Sequence, residues 1–503
     1  MSPPVETTME YVSIRETHTA VVFLVGDRAY KMKKPVDLGF LDFRTRQARS
    51  EVCHKETDLN RRLAPDVYLG VAQITDPDGQ PCEDLLVMRR MPDNRRLSTL
   101  VRSGADVSDD IRRIARVVAA FHSRCDRSPQ IDVEGSRDAL LERWTASFEQ
   151  VRPFHGNVID GAVTGEIARL TARFLAGREQ LFADRLGRGR ILDGHGDLLA
   201  DDIFCLLDGP RILDCLEFDD RLRHVDQLDD VAFLAMDLEH LGAPDLAERF
   251  IELYVEFTGD PAPSSLLHHY VAYRAFVRAK VSCLRHQQGD PAAAGQARTF
   301  TDLAQRHLAT SAVKLVLVGG MPGTGKSTLA SGLADRLGLV MLSSDRLRKE
   351  LAGVDPEQSA RADYRAGIYS RAWTERTYAE MLERAGRLLS LGESVVLDAS
   401  WIDQGSRREA QQVAARSHSD VVSLLCEVPE EVAAARMRER SGPSDADEAV
   451  AAAMRGDADA WPEATLVDTS LPLEVGVSHA VSCVRPNPEH RRWVRLRPLL
   501  EPD

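Results

Sequence analysis

Long apolar runs and targeting signals are what this 503-residue sequence lacks most clearly. No apolar stretch approaches the length of about 20 residues that a bilayer-spanning helix needs. The N-terminus also has no basic segment followed by an apolar one, which a secretory signal requires. We therefore expect a cytoplasmic protein with no membrane partner.

Cysteine clusters and excess positive charge are missing as well. The eight cysteines are scattered, without a Cys-x-x-Cys pair or a Cys/His group at metal-ligand spacing, so a zinc-finger type of site is excluded and reduced, structural thiols are favoured. The formal net charge is −14, which disfavours a protein that coats nucleic acid. Both absences favour small molecules as partners.

The length and the hydrophobic pattern indicate more than one domain. A chain of 503 residues exceeds what one hydrophobic core usually fills. Its 43% apolar and 28% charged residues are ordinary for a globular protein. The pattern of elements changes near Thr310, so we predict a first domain over 1–310 and a second over 311–503.

The first domain begins with a small sheet that carries one helix. Strand patterns flank the hairpin signal Gly26-Asp27 and recur after the helix, which has Leu59 and Leu63 on one apolar face. This small lobe covers about 1–92, and the rest of the domain is mostly helical. The predicted elements are strands at 21–25, 28–33, 67–74 and 84–91, helices at 43–63, 111–121 and 167–182, short strands between 194 and 220, helices from 225, and a loop over 287–297.

The second domain alternates strand and helix. This alternation predicts an α/β domain in which helices cover a parallel sheet. The predicted strands are 314–318, 339–342, 394–397 and 421–425, and helices begin at 326, 404 and 430.

One segment of the second domain predicts a phosphate-binding loop. Gly320-Met-Pro-Gly-Thr-Gly-Lys-Ser327 fits the pattern GxxxxGK[ST], directly follows an apolar strand and precedes a helix. Glycines let backbone N–H groups curl around phosphates, Lys326 neutralises the β and γ oxygens of ATP, and Ser327 holds Mg²⁺. The predicted cofactor-binding residues are Gly320, Met321, Pro322, Gly323, Thr324, Gly325, Lys326, Ser327 and Thr328.

Charged residues follow the next strands of this domain. Asp345 ends one strand and is a candidate base for an acceptor hydroxyl, or else a cap of the helix that follows. Arg348 is one helical turn on and suits a phosphate clamp. Asp398 ends a buried strand and suits a magnesium ligand. Arg436 and Arg440 have the spacing of a lid over the γ-phosphate, although a solvated basic face is equally consistent with them.

These residues resemble one group of enzymes over about 313–470. The phosphate loop, Asp345-x-x-Arg348, the strand-terminal Asp398 and the late arginine pair are similar to those of P-loop kinases grouped with polynucleotide 5′-kinases and zeta-toxin-like enzymes. Acceptors in that group range from nucleic-acid ends to sugars, so the resemblance implies phosphoryl transfer without naming the acceptor.

The first domain contains a second candidate site. His195-Gly-Asp-Leu198 and Ile212-Leu-Asp214 are separated by a turn, and two carboxylates at that spacing can converge as base and metal ligand. Upstream, Lys31 stands on a strand and Glu56 on the helix. Residues 11 to about 290 therefore resemble the aminoglycoside phosphotransferase and choline kinase family, which has an α+β, bilobal, protein-kinase-like fold.

This resemblance implies roles for four residues. Lys31 contacts the ATP phosphates, Glu56 orients Lys31, Asp197 is the catalytic base and Asp214 binds Mg²⁺. Phe121-His122 and Asp230-Val-Ala232 also resemble family segments and are interpreted as structural.

Two points depart from the family or stay open in this domain. The family has Asn five residues after the catalytic Asp, where this chain has Asp202, a competent magnesium ligand that adds negative charge. Lys33 is a rival of Lys31 because alternation points both side chains to one face. An acidic cluster suits either a pocket for a cationic amino sugar or a set of turn, cap and solvated residues. The cluster comprises Glu217, Asp219, Asp220, Asp226, Asp229 and Asp230.

Three functions remain after this reading. The leading hypothesis is an ATP- and Mg²⁺-dependent phosphotransferase with two nucleotide-binding modules, acting on a small hydroxylated acceptor such as an amino sugar, a sugar or a nucleoside. In the second, the first domain is a degenerate nucleotide sensor that regulates the second domain. In the third, the second domain phosphorylates nucleic-acid 5′ ends. The oligomeric state is left open.

Overall fold

The computed structural model describes residues 12–16, 19–37, 42–355, 366–439 and 448–485. Cα packing divides the chain into two compact units that interleave along the sequence. Unit 1 comprises Met1–Leu140 and Arg185–Asp260, and unit 2 comprises Leu141–Asp184 and Pro261–Asp503. The domain boundary near Thr310 stays a prediction.

Unit 1 opens with a five-stranded antiparallel sheet in the order β1-β2-β3-β5-β4. The predicted hairpin at Gly26-Asp27 is confirmed, and α1 packs on β4 and β5. The elements are β1 Ser13–Glu16, β2 Ala20–Val25, β3 Arg28–Lys33, α1 Arg46–Arg61, β4 Tyr68–Thr75 and β5 Pro81–Arg89.

Helix α1 buries a polar face, and the prediction of an apolar face through Leu59 and Leu63 is wrong. Both leucines are only partly buried. The helix instead presents residues that hydrogen-bond or form ion pairs beneath the sheet. Its buried residues are Arg49, Cys53, Glu56, Thr57 and Asn60.

The remainder of unit 1 is helical, with two short antiparallel pairs, β6–β9 and β7–β8. The prediction of a helix from Val225 is corrected, because His224–Asp226 is a strand and Asp226 caps the helix that follows. The elements are α2 Leu97–Arg102, α3 Ser108–His122, α4 Pro129–Glu134, β6 Ile191–Asp193, β7 Ile203–Leu206, β8 Gly209–Ile212, β9 His224–Asp226, α8 Gln227–His240 and α9 Pro244–Thr258.

Unit 2 contains a group of long helices. The predicted helix 167–182 is two helices that meet at Gly177, and the predicted loop 287–297 is shorter because a helix begins at Ala293. The helices are α5 Arg137–Val151, α6 Gly161–Ala176, α7 Glu179–Gly187, α10 Ser264–Gln287 and α11 Ala293–Ser311. Helices α5 and α7 each continue across the division between the units.

Unit 2 also contains a five-stranded parallel sheet in the order β11-β12-β10-β13-β14. The predicted parallel sheet is confirmed, and only its last strand was missed. Its strands are β10 Lys314–Gly319, β11 Val340–Ser343, β12 Val395–Asp398, β13 Asp420–Glu427 and β14 Thr465–Asp468. The helices that follow are α12 Lys326–Leu337, α13 Ser344–Leu351, α14 Arg371–Ser390, α15 Gln404–Arg416, α16 Glu430–Glu439, α17 Glu448–Gly456 and α18 Leu473–Val484.

The central strand of this sheet, β10, is buried in the core. Val316 and Val318 of β10 pack with Leu329 and Leu333 of α12 and with Val396 of β12, and all of them are buried. The phosphate-loop segment is therefore anchored by a buried strand before it and a buried helix after it. In the described part of the chain, no helix combines the length and the apolar character needed to cross a membrane.

Candidate active sites

The first candidate site is built around Lys31 on β3. Its Nζ lies 2.8 Å from Oε1 of Glu56 on α1 and 2.6 Å from Oδ1 of Asp214 beyond β8. The Lys31 side chain is 12% exposed, whereas that of Lys33 is 1% exposed. Of the two rival lysines, Lys31 is the one that contacts Asp214 and keeps access to solvent.

Ion pairing controls the charge of these groups. Burial lowers the pKa of Lys31, but the carboxylates of Asp214 and Glu56 outweigh it and hold that pKa well above its ordinary value. Burial raises the pKa of Asp214, yet the charge and hydrogen bond of Lys31 bring it down to about 2. Lys31 and Asp214 are therefore both charged at neutral pH, which suits contact with phosphate and a divalent cation respectively.

One buried carboxylate fixes the loop that carries Asp197. Asp230 on α8 accepts the backbone N–H groups of His195 and the next residue at 2.7 and 2.8 Å. Its Oδ2 also lies 3.0 Å from His122 Nε2. A Cβ added at Gly194 would lie 2.4 Å from Asp230 Oδ2, so this approach requires glycine. Asp230 and His122 thus hold Asp197 in place from behind.

Asp202 occupies the turn between Asp197 and β7. Burial, and then the charges of Asp214 and Asp197, raise the pKa of Asp202 well above its ordinary value, so the three carboxylates are close enough to interact. No group of three or more metal-ligating residues is found in the described ranges. Mg²⁺ usually takes only one or two protein carboxylates and completes its shell with water and phosphate, so Asp202 and Asp214 fit that ion.

Two polar side chains on neighbouring elements support Asp214 and were missed by sequence reasoning. Tyr68 Oη accepts the N–H of Asp214 at 3.1 Å, and Asn60 Oδ1 accepts the N–H of Cys215 at 2.9 Å. Asp214 has a φ of 63°, a left-handed conformation that few non-glycine residues adopt. No pattern in the sequence marks Tyr68 or Asn60 for this role.

The acidic cluster divides into caps and ion pairs. Asp226 caps α8 and lies 2.6 Å from Arg185, and Glu217 lies 2.5 Å from Lys33. Asp220 pairs with Arg223 at 2.6 Å and also contacts a lysine of α1. These contacts favour the structural alternative for the cluster over an open acceptor pocket.

Three glycines are required by the shape of the phosphate loop between β10 and α12. A Cβ added at Gly320, where φ is +147°, would lie 2.5 Å from Thr324 Oγ1. At Gly323, where φ is +81°, it would lie 2.5 Å from the carbonyl oxygen of Ala433. Gly325 has a φ of 81° and is the N-cap of α12. The loop is thus a backbone cradle at a helix N-terminus, which fits a polyphosphate.

Carboxylates and hydroxyls meet beside this loop. Ser343 Oγ donates to Asp398 Oδ2 at 3.2 Å, while Asp398 Oδ1 is buried without a hydrogen-bond partner. Burial raises the pKa of Asp398 against the opposing charge of Lys326 and a hydrogen bond from Ser327, and Asp345 raises it further. Ser343, Lys326, Ser327 and Asp345 are therefore neighbours of Asp398. The Asp398 oxygen without a hydrogen-bond partner fits a Mg²⁺ ligand.

The alternative role of Asp345 as a helix cap is wrong. Helix α13 begins at Ser344, and its N-cap is Ser343, so Asp345 stands inside the first turn. A carboxylate there also interacts favourably with the helix dipole. Asp345 therefore stands in the first turn of α13, near enough to Asp398 for their charges to interact, without serving as the cap.

The predicted arginines have different surroundings. Arg348 is 6% exposed, and its Nη1 donates to the Ile368 carbonyl oxygen at 3.0 Å and to Thr374 Oγ1 at 3.1 Å. Its Nε–H is buried without a hydrogen-bond partner. Arg436 Nη2 donates to the Thr469 carbonyl oxygen at 2.8 Å, beside the end of the phosphate loop. Arg440 lies outside the described residues.

Two cavities flank the phosphate loop. One of about 370 Å³ is lined by loop residues 323 and 325–328 together with Arg436 and Thr469. The other, of about 870 Å³, is lined by loop residues 320–322 and 324 and by Trp401 and Trp461. All nine predicted cofactor-binding residues of the phosphate loop thus line one cavity or the other, whereas Asp345 and Arg348 line neither.

These two arrangements define the class of the protein. The antiparallel sheet with its lysine–glutamate pair, followed by helices and the loop of Asp197, resembles the kinase-like fold of the aminoglycoside phosphotransferase and choline kinase class. The five-stranded parallel sheet with its phosphate loop is a P-loop kinase fold. A family model described as an AAA domain matches residues 315–460.

The relatives place the chain in a specific family. It belongs to the family of the protein Rv2004c of Mycobacterium tuberculosis (strain ATCC 25618 / H37Rv), to which it is 45% identical over 474 residues, covering 93% of this chain and 95% of Rv2004c. Protein Mb2027c of Mycobacterium bovis matches with the same identity and coverage.

Solved structures match the two halves separately. The GDP and kanamycin complex of APH(2")-IIia is 16% identical, with a TM-score of 0.42, and covers 60% of this chain and 95% of that one. A sugar kinase from Janibacter sp. HTCC2649 is 21% identical, with a TM-score of 0.28, and covers 35% of this chain and 97% of that one.

Proposed function

We propose that the protein is an ATP- and Mg²⁺-dependent phosphotransferase with two nucleotide-binding sites, acting on small hydroxylated molecules. The observation that carries the proposal is the phosphate loop, whose glycines have positive φ and, at Gly320 and Gly323, leave no room for a Cβ, so that the backbone forms an anion cradle. The Lys31 ammonium between Glu56 and Asp214 extends the proposal to a second site. Catalysis in both sites consists mainly of positioning and charge neutralisation.

In the phosphate-loop site, Lys326 balances the charge of the β- and γ-phosphates. Ser327 and Asp398 hold Mg²⁺, which supplies further charge neutralisation when bound. Asp345 accepts the proton of the acceptor hydroxyl. Arg348 and Arg436 contribute positive charge on either side, with Arg440 assigned to the same lid on its sequence spacing alone.

In the kinase-like site, Lys31 contacts the ATP phosphates and Glu56 orients it. Asp214 and Asp202 hold Mg²⁺, and Asp197 accepts the proton of the acceptor hydroxyl. The hold of Asp230 on the Asp197 loop supports this role, because a general base must stay within hydrogen-bond reach of the proton it takes.

The acceptor class follows from charge and surroundings. The net charge of −14 disfavours a polyanionic acceptor, so an amino sugar, a sugar or a nucleoside is proposed rather than a nucleic-acid end. The eight free cysteines are consistent with a reducing, cytoplasmic compartment.

A second candidate function is favoured by Asp202. Asp202 stands beside Asp197 and Asp214, and burial and the charges of those two carboxylates oppose its ionisation, which disfavours tight Mg²⁺ binding and turnover. In this alternative the kinase-like site binds nucleotide without turnover and regulates the phosphate-loop site. Titration of ATP into the Lys326→Ala protein, with and without Mg²⁺, separates the two functions, since the sensor predicts metal-independent binding and no ATP consumption.

The main proposal is tested by counting nucleotide sites in the full chain. Isothermal titration should give two ATP molecules per wild-type chain, one for Lys326→Ala and one for Lys31→Ala. ATP consumption is then measured against a panel of aminoglycosides, amino sugars, sugar acids and nucleosides. If the two variants bind and consume ATP as the wild type does, the proposal fails.

A further inference from the structure

The kinase-like site rests on a chain of alternating charges. Asp214 and Lys31 are 2.6 Å apart, Lys31 and Glu56 2.8 Å, Glu56 and Lys33 2.7 Å, and Lys33 and Glu217 2.5 Å. A lysine–glutamate pair alone would end at Glu56. Here the series continues through a second lysine to a second glutamate.

Three short segments supply these five groups. Lys31 and Lys33 are two residues apart on β3, so both side chains project from the same face of the sheet. Asp214 and Glu217 are three residues apart in the segment that follows β8, and Glu56 comes from α1. The series closes into a ring because the two lysines face the two ends of the 214–217 segment.

Lys33 and Glu217 are poorly placed to touch a ligand. The Lys33 side chain is 1% exposed and that of Glu217 10% exposed, against 43% for Asp214. Lys33 Nζ also lies 5.7 Å from the centre of the Phe43 ring, on the interior side. Any effect of Lys33 or Glu217 on nucleotide binding must therefore pass through Lys31, Glu56 or Asp214.

The 214–217 segment is held at both ends by side chains from other elements. Asp214 has a left-handed backbone conformation that is strained for a side chain with a Cβ. The start of the segment is held by Tyr68 and Asn60 through its backbone N–H groups. Its far end is held by the ion pair of Glu217 with Lys33.

The buried carboxylate of Glu56 is also held by ion pairs. Its side chain is fully buried and meets a lysine at each oxygen, Lys31 at Oε1 and Lys33 at Oε2. The contact at Oε2 is an ion pair without hydrogen-bond geometry, so it contributes charge rather than direction. Lys33 therefore places a positive charge beside the second oxygen of Glu56, in addition to the one that Lys31 places beside the first.

We propose that Lys33 and Glu217 are positioning residues of the kinase-like nucleotide site, whose ion pair fixes Asp214 and Glu56 where Mg²⁺ and the Lys31 ammonium require them. This inference rests on the proposed function and adds to it two residues, Lys33 and Glu217, that support the site without contacting nucleotide. Residues of this kind around a metal ligand change metal affinity by about 10–100-fold when they are replaced.

The test uses the full chain carrying Lys326→Ala, so that only the kinase-like site is measured. The key variant is Lys33→Met with Glu217→Gln, which removes both charges together and leaves neither one buried alone. Isothermal titration gives the Kd of ATP with and without Mg²⁺, and thermal unfolding reports stability. Lys34→Met is the matched control, because Lys34 pairs with Glu16 at the surface one residue away.

The expected result is a Kd for MgATP about 10–100-fold weaker in the double variant, with a smaller change for ATP without Mg²⁺. The control should bind MgATP as the parent does, and Lys33→Arg with Glu217 intact should restore much of the affinity. A merely structural pair would lower the unfolding temperature without changing the ratio of the two Kd values.

The outcomes separate the inference from the function beneath it. A folded double variant that binds MgATP as tightly as the parent overturns the positioning role, provided that Lys31→Ala abolishes binding. If Lys31→Ala also binds MgATP like the parent, the kinase-like site itself is refuted. Should the double variant fail to fold, Glu217→Gln alone takes its place, and a Kd for MgATP unchanged from the parent then overturns the positioning role.

Discussion

At the scale of single residues, Asp230 is the buried carboxylate that holds the loop of Asp197. It is fully buried and accepts two backbone N–H groups of the Asp197 loop, besides its contact with His122. Burial raises the pKa of Asp230, but the hydrogen bond and charge of His122 outweigh it and hold the pKa far below its ordinary value. The carboxylate is therefore part of the folded structure in its charged form.

Replacing this carboxylate by an amide tests its role. In Asp230→Asn, the new amide NH₂ group faces the N–H groups that donate to the carboxylate in the wild type, so one or more of these donors loses its acceptor. The free energy of unfolding of unit 1 should therefore fall by about 1–3 kcal/mol. Urea denaturation measures the loss. Asp109→Asn, at an exposed first-turn position of α3, is the control and should change stability by less than about 0.5 kcal/mol. Equal effects of the two substitutions would contradict the role of Asp230.

A second residue-scale prediction concerns pH and His269. Trp144 Nε1 donates to His269 Nε2 at 3.3 Å, so the proton of the neutral ring is on Nδ1, and burial lowers the pKa of His269 to about 3. In the unfolded chain, the neutral imidazole takes up a second proton below about pH 6.5. The stabilisation is complete above that pH and is lost as pH falls toward 3, by at most about 1.4 kcal/mol per pH unit.

Denaturation of unit 2 between pH 7 and pH 4 tests whether its free energy of unfolding falls as the pH is lowered. His269→Gln keeps an acceptor near Trp144 but removes the titrating group, so its stability should depend less steeply on pH than that of the wild type. His479→Gln, at an exposed position, should keep the wild-type slope. An unchanged slope in His269→Gln would show that another group controls the acid response.

At the scale of elements, the break between α6 and α7 is explained by a backbone segment that is distant in sequence. The apolar period predicts one helix over 167–182, but a Cβ at Gly177 would lie 2.2 Å from the Ser417 carbonyl oxygen. Arg178 also donates to that oxygen at 2.7 Å. The helix ends where another backbone approaches it, and periodicity within 167–182 contains no information about Ser417.

Two glycines of the same helix region should respond in opposite ways to alanine. Gly165 lies within α6, and a Cβ there would meet nothing within 4 Å, so Gly165→Ala should stabilise unit 2 by about 0.5–1 kcal/mol. Gly177→Ala must displace the Ser417 backbone and should destabilise it by more than that. Thermal unfolding of both variants is the measurement, and equal shifts would contradict the close approach.

Other elements show which parts of the fold were predictable. The parallel sheet and the hairpin at Gly26-Asp27 followed from local patterns and turn chemistry. The polar face of α1 did not, because Glu56 and Asn60 are buried by partners far away in sequence. The phosphate loop was the most predictable part of either site, since its glycines meet steric demands within a short segment. Tyr68 and Asn60, which hold the segment of Asp214, were the least predictable, since they come from separate segments and carry no motif.

At the scale of the whole molecule, the two units interleave along the chain. Length alone predicts more than one domain, but the division by packing assigns 141–184 and 261–311 to the same unit as the parallel sheet. Within that unit, Arg173 pairs with Asp420 at 2.6 Å, and Ser265 Oγ donates to the Gly392 carbonyl oxygen at 2.7 Å. Contacts of this kind arise only in the folded chain, so composition shifts near Thr310 give no sign of them.

Separating the chain at residue 310 should therefore destabilise the helices before the cut. The fragment 1–310 loses the partners of Arg173 and Ser265, and it leaves Arg178 with a buried guanidinium and no Ser417 to accept from it. We expect a lower unfolding temperature and faster proteolysis within 141–184 than in the full chain. Limited proteolysis followed by mass mapping is the measurement, with cleavage in 185–260 as the internal control. Identical protection of both regions would contradict this division of the chain.

The interleaving also sets an order of events during synthesis. Unit 1 has all its segments once residue 260 has left the ribosome, whereas Arg173 of helix α6 must wait for His418 and Asp420, which it contacts. At a synthesis rate of about 5–20 residues per second, that delay is on the order of tens of seconds. During this time α6 can pack on α11, but its C-terminal end is without the 418–420 segment. A nascent chain stalled between these two points should therefore be a preferred client of chaperones that bind exposed helices.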